Sequence, residues 1–197
     1  MEEQKLHVWN VTEQLLSSRV VKIYGEINTQ VAYDVTSLLD VLNNDNPSAP
    51  IKLEINTPGG SVLDGLAIVD KIKTISAPVI AFNTGVCASM GTVICAACDY
   101  AFGMPNCQFM IHEISSGTQG KFRDMKNSLA FDEALNRRTM SIVAAKCGKT
   151  FDDIMNDAIY DKWMSADEAL EYHLIDKICN NSEKDQKVLK TFLKSYK

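Results

Sequence analysis

A layered α/β fold with parallel crossovers is what this 197-residue sequence predicts, and three observations predict it. Short β-type runs alternate with amphipathic helical stretches along most of the chain. Gly, Pro or Asn marks the switches between them. No internal repeat or low-complexity block interrupts the pattern. In order, Arg19–Tyr24 reads as a strand that ends at Gly25. Val31, Val35, Leu38, Leu39 and Leu42 are spaced by threes and fours, which predicts a helix closed by the Asn-rich run 43–47. Ile51–Ile55 alternates as a strand should, and Pro58-Gly59-Gly60 turns it into a second amphipathic helix through Ile75. Pro78–Phe82 is a third strand, followed by a small-residue turn and an apolar helix near Ser89–Cys98. A short strand, Phe109–Ile111, leads into a Gly-bearing loop, Ser115–Gly120, and then a long helix from about Phe122 to Cys147.

Composition excludes several classes. With 46% hydrophobic and 23% charged residues, 10 Gly and 5 Pro, the chain is neither disordered nor fibrous. A net charge of −5 argues against a general affinity for nucleic acid or anionic lipid. The apolar runs fall short of the roughly 18 residues a membrane span needs, and residues 1–5 do not form a secretory signal. A soluble, cytoplasmic protein is expected. The six cysteines (Cys87, Cys95, Cys98, Cys107, Cys147, Cys179) are expected to be reduced and buried, because a free Cys behaves as a small hydrophobe. Cys95 and Cys98 have zinc-knuckle spacing but no second pair to complete a four-ligand set. From residue 183 to 197, five Lys face Glu183 and Asp185, a local charge of +3 that leaves −8 for the remainder. Leu189, Phe192, Leu193 and Tyr196 share a helical face there, which predicts a basic amphipathic terminal helix after a body spanning 1–182.

Three segments can carry chemistry. In Asn56–Ser61 the paired glycines let backbone approach a ligand, and N–H groups at a helix start are donors for an anion, although the same residues make an ordinary tight turn. In Gly85–Gly91, Ser89 sits among small residues on a strand-to-helix turn, which exposes a hydroxyl beside a backbone N–H. Cys87 stands where that elbow motif has its first glycine, and a serine before a helix is commonly just a cap. Cys87 itself is a candidate for lining the site. The third is His112, which ends an apolar strand, whereas His7 is near the N-terminus and His173 on a late polar helix. A serine activated by histidine needs a third group to fix the imidazole tautomer. Asp161 is one candidate; Asp99, Asp152, Asp153 and Asp157 compete, and spacing does not choose among them.

Together these segments resemble the ClpP family of serine peptidases, the caseinolytic protease proteolytic subunits. The resemblance runs from about Arg19 to Ile178 and rests on INTPGGSVLDGLAI (55–68), GVCASMG (85–91), PNCQFMIHE (105–113) and DKWMSADEALEYHLID (161–176). It implies a crotonase-like α/β core with a protruding handle helix at about 122–147. It implies Ser89 as nucleophile, His112 as general base and acid, and Asp161 as the residue that orients the imidazolium. The Gly60 and Met90 N–H groups would form the oxyanion hole, with no metal or organic cofactor. The loop at 115–120 would help line the substrate channel near His112. The implied assembly is a homo-oligomer of two stacked seven-subunit rings enclosing a chamber. It cleaves peptides and takes unfolded protein from a hexameric AAA+ unfoldase.

Four positions depart from the family pattern. Lys52 and Glu54 stand where aromatic residues usually face the ATPase, and charge there is costly to bury. Phe82, Phe102 and Met104 keep that pocket apolar elsewhere. Tyr160 replaces an arginine that pairs across the ring interface. His173 replaces a glycine, at a cost of ~1 kcal/mol if the backbone is left-handed. The segment before Arg19 lacks the usual opening helix. Two other readings follow. One is a capsid-processing or signal-peptide-peptidase-like enzyme working without an ATPase; the signal-peptide-peptidase branch relies on a lysine base, which His112 and Asp161 argue against. The other is a non-catalytic ring subunit, which the complete Ser-His-Asp set disfavours.

Overall fold

The computed structural model describes residues 11–179. In strand β2 (Ile51–Thr57) every second side chain is buried: Ile51, Leu53, Ile55 and Thr57 point into the core, and Lys52, Glu54 and Asn56 to the other face. β2 lies parallel between β1 (Val20–Tyr24) and β3 (Val79–Ala88), and β4 (Tyr100–Gly103) and β7 (Lys177–Ile178) extend the sheet in the order β1-β2-β3-β4-β7. Helices α2 (Thr29–Asp45), α3 (Val62–Thr74) and α4 (Met90–Ala97) make the crossovers and cover one face. This is the α/β layering that the sequence predicts.

Strand β3 has two sets of neighbours beyond β2. Its first half pairs with β4 (Phe82 opposite Phe102), and after Gly85 its second half pairs in parallel with β5 (Gln108–Ile111), Cys87 opposite Phe109. The small residues at 85–88 are therefore strand rather than the expected turn. β5 in turn pairs antiparallel with β6 (Lys162–Met164). Asn56 holds the bend, its Oδ1 accepting the Val86 N–H at 3.0 Å.

The other corrections are local. Helix α2 runs two residues past Asn43 because that side chain does not cap it; its Oδ1 accepts the Ser76 and Ala77 N–H groups, tying α2 to the turn before β3. A helix, α1 (Val11–Ser17), does precede Arg19. Arg19 itself lies outside β1, at φ 54°, with its guanidinium on the carbonyls of Leu42, Asn46, Ala49 and Pro50. All six cysteines are free thiols, five of them buried and Cys179 half-buried. Burial pushes Cys107 and Cys147 up to about 12, so both stay protonated. His7 and the basic segment 183–197 lie outside the described residues.

Helix α5 spans Phe122–Cys147, as expected. Its buried residues, Thr139, Met140, Val143, Ala144 and Cys147, all belong to the last third; Leu135, Asn136 and Arg137 before them still touch the body, and residues 122–131 are exposed apart from half-buried Met125. Helix α6 (Phe151–Asp157) follows, with a capping box between Thr150 and Asp153.

His173 is not on a helix. Helix α7 (Ala166–Glu171) ends at Tyr172, and a Schellman pair closes it, with the Leu174 N–H on the Ala169 carbonyl and the His173 N–H on that of Leu170. The closing residue must be left-handed, and His173 is, at φ 61°. His173→Gly is therefore expected to raise stability by about 1 kcal/mol, read as a higher urea midpoint at unchanged slope. A lower midpoint would mean that the imidazole makes a compensating contact.

On the face away from the helices, Phe82 and Phe102 stack at 4.9 Å beside Ile80. Lys52 lies over the Phe82 ring at 4.7 Å and bonds Glu54 at 2.7 Å, and Lys22 reaches the same carboxylate at 2.9 Å. Burial pushes the Glu54 carboxyl up, but the two ammonium groups outweigh it and hold the group below its ordinary value. The charges expected to be costly here are thus paired with each other.

Candidate active site

Ser89 ends β3 and begins α4 with a backbone that few side chains adopt, φ 54° and ψ −123°. Such strain persists only where surroundings over-determine it. Here the Ser89 N–H donates to the Met110 carbonyl at 2.9 Å, which fixes the elbow onto β5. Thr92, fully buried in α4, puts its hydroxyl 2.8 Å from the carbonyls of both Cys87 and Met110. Two strands and a helix are thereby locked around one side chain.

His112 follows directly on β5, so the Ser89–β5 contact brings the two side chains together. Ser89 Oγ lies 2.8 Å from His112 Nε2. Ile111 pairs with Lys162 in the antiparallel β5–β6 ladder, so the next pair outward sets His112 against Asp161. Asp161 Oδ1 lies 3.4 Å from His112 Nδ1, long for a hydrogen bond but close for an ionic attraction. The histidine is 21% exposed and the aspartate 60%.

The rival carboxylates are committed elsewhere. Asp99 accepts the Val79 N–H at the far end of the sheet, Asp153 caps α6, and Asp157 takes the Tyr172 hydroxyl. Asp152 lies in the first turn of α6. Cys87, two residues from Ser89, is buried in the core and does not line the cavity, contrary to the alternative raised for it. Among the described residues no cluster of three or more His, Cys, Asp or Glu is placed to hold a metal ion.

A cavity of about 100 Å³ opens beside Ser89, lined by Gly60, Val62, Met90, Val93, Ile114 and Met140. The Met90 N–H is the first of α4 and has no partner within the helix. The Gly59-Gly60 segment presses against Ser89: a Cβ on Gly59 would come within 2.6 Å of the serine Cβ. Gly60 bridges Ile27 through its neighbours, the Gly59 carbonyl and the Ser61 N–H, which turns its own N–H to the opposite side. Thr57, fully buried, holds the turn by accepting the Gly59 N–H at 3.1 Å and donating to the Gly25 carbonyl. Thr57 and Thr92 escaped the sequence reading. Thr92 had a local signal, a hydroxyl in an otherwise apolar buried run, which is costly unless bonded; Thr57, between Asn56 and Pro58, had none.

This geometry offers a nucleophile, a base and two outward N–H groups at one cavity. A family model described as Clp protease matches residues 2–182. The chain belongs to the Clp protease family. Proteins named ATP-dependent Clp protease proteolytic subunit, from Streptococcus suis and Streptococcus pyogenes serotype M1, are each 37% identical to it over 179 residues. The one from Streptococcus equi subsp. equi is 38% identical over the same length. Each match covers 89% of this chain and 91% of the relative. This Clp protease chain is thus a serine endopeptidase with the fold that the resemblance implies. None of its described helices is long and apolar enough to cross a membrane.

Proposed function

We propose that this Clp protease hydrolyses peptide bonds with Ser89 as nucleophile, His112 as general base and acid, and Asp161 as the group that orients the imidazole. The observation that carries the reading is the 2.8 Å contact between Ser89 Oγ and His112 Nε2, with Asp161 on the opposite ring nitrogen. With Nδ1–H directed at Asp161, Nε2 carries the lone pair. It accepts the hydroxyl proton as Oγ bonds to the scissile carbonyl carbon. The resulting oxyanion is held by the Gly60 and Met90 N–H groups, a donor of this kind contributing about 10²–10³ in rate. The imidazolium then passes its proton to the leaving amine, and the C–N bond breaks. Water, deprotonated by His112, releases the acyl group and restores Ser89.

The substrate is a peptide or an unfolded protein, and the working form is a homo-oligomer of heptameric rings stacked around a chamber, each subunit folding from residues 1–182. Exposed Phe122, Leu129 and Phe131 on the outstanding part of α5 support assembly, as do Tyr160 and Trp163 near Asp161. The relatives' printed names support partnership with an ATPase. The Lys22–Glu54–Lys52 network favours a docking partner that presents polar groups to this face, or peptide cleavage without one.

The test is a fluorophosphonate probe on the full chain, with the modified peptide located by mass spectrometry. The adduct is expected on Ser89 and should vanish in Ser89→Ala. Labelling on another serine, or none in an assembled oligomer, would sink the reading.

A further inference from the structure

Asp161 is poorly anchored for a residue that must hold an imidazole. It is 60% exposed, follows Ile159 and Tyr160, which are exposed too, and precedes a strand of three residues. Something else has to fix the turn between α6 and β6.

That something surrounds Asp157, the last residue of α6. Its Oδ2 accepts the Tyr172 hydroxyl at 2.7 Å and lies 3.8 Å from Lys149 Nζ; its Oδ1 lies 3.4 Å from Lys162 Nζ. Lys162 is the first residue of β6, so the Asp157–Lys162 pair closes the turn carrying Asp161 as a staple closes a loop. Both ammonium groups also sit over the Tyr172 ring, Lys149 at 4.6 Å and Lys162 at 5.4 Å from its centre. A carboxylate at a helix C-terminus is unfavourable in the helix dipole, so its placement needs these partners. Burial and the bond to Asp157 push the Tyr172 phenol above its ordinary value, which keeps it a donor. Tyr172 is fixed in turn as the C-cap of α7, next to left-handed His173.

We propose that Tyr172, with Asp157 and Lys162, is a positioning cluster that sets Asp161 against His112 and so governs turnover. The proposal rests on the Ser89-His112-Asp161 reading and adds to it three residues that touch neither substrate nor the reacting atoms. Freed from the phenol, Asp157 loses its shortest tether, the turn gains freedom, and the 3.4 Å contact is made for a smaller fraction of the time.

The experiment is a double-mutant cycle on the assembled protein, with kcat and KM for a short fluorogenic peptide. Tyr172→Phe keeps the ring and its cation contacts and removes only the hydroxyl. It is expected to lower kcat about tenfold with KM within twofold of wild type. Asp161→Asn is expected to lower kcat about 10²-fold, less than the roughly 10⁴ of a buried triad carboxylate because this one is largely solvated. The double variant should match Asp161→Asn within twofold, since a residue acting through Asp161 has nothing left to position. Multiplied losses, or wild-type kcat in Tyr172→Phe beside an impaired Asp161→Asn, would overturn the cluster and leave the triad standing. Wild-type kcat in Asp161→Asn would overturn both. If Tyr172→Phe does not fold, Asp157→Asn, which keeps an acceptor for the phenol and weakens the lysine pairs, enters the same cycle with the same criteria.

Discussion

Ser89→Ala is expected to lower kcat on a short peptide by about 10⁶-fold, His112→Ala by about as much, and the double variant no further than either alone. The reason is the 2.8 Å contact between the two side chains. Oγ is a poor nucleophile until Nε2 takes its proton, and the imidazole has no other part in the attack, so removing either half removes the whole. KM should move less than kcat, because Ser89 and His112 are only two of the groups lining the cavity and its apolar wall of Val62, Val93 and Met140 is left intact. The residual rate would report what binding and the proposed N–H pair at Gly60 and Met90 supply without a nucleophile. Steady-state kinetics on oligomers matched by size, with the contaminant level set by a preparation from a host lacking its own enzyme, gives the comparison. Losses that multiply in the double variant would mean that the two residues work in separate steps.

Gly60→Ala is expected to abolish turnover by at least 10³-fold and to destabilise the protein by several kcal/mol. Gly60 has φ +145°, a conformation that a Cβ strains, and the added methyl would run into the Ile27 backbone, 2.7 Å from its nitrogen. Relief requires the turn to move away from Ile27, which breaks the bonds from Ile27 N–H to the Gly59 carbonyl and from Ser61 N–H to the Ile27 carbonyl. The Gly60 N–H moves with it, and the oxyanion donor proposed there, displaced by a fraction of an ångström, would no longer reach the charge it must meet. The two losses are separable by experiment: kcat/KM for one, the urea midpoint for the other. Full activity in a folded Gly60→Ala would remove this N–H from the oxyanion hole.

Much of the fold was legible because periodicity survives burial. The alternation of Ile51, Leu53 and Ile55 gave β2, and the span of α5 follows from spacing and from the loop before it. Failures occurred where short length or small side chains erase the pattern. Strands β6 and β7 have three and two residues, too few for any period, and β4 escaped for the same reason. The run 85–88 resembles a turn because Gly, Cys and Ala are small, yet smallness there lets β5 and Thr57 crowd in on both sides. Ser89 and His112 could be nominated one at a time from their local sequence. Asp161 could not be chosen over four rivals without the family resemblance, since what brings it to His112 is the register of Ile111 on Lys162, a pairing of residues 51 apart that leaves no local mark. Thr57 was invisible because its importance lies in the Gly25 carbonyl and the Gly59 N–H that it reaches.

Helix α5 has one more consequence. Its first ten residues, about 15 Å of helix, are exposed apart from half-buried Met125. A polar segment of that length is only marginally helical by itself in water. A subunit packed along it would share the ordering of this segment, so helix content is expected to fall when the proposed oligomer is diluted, read by circular dichroism against concentration.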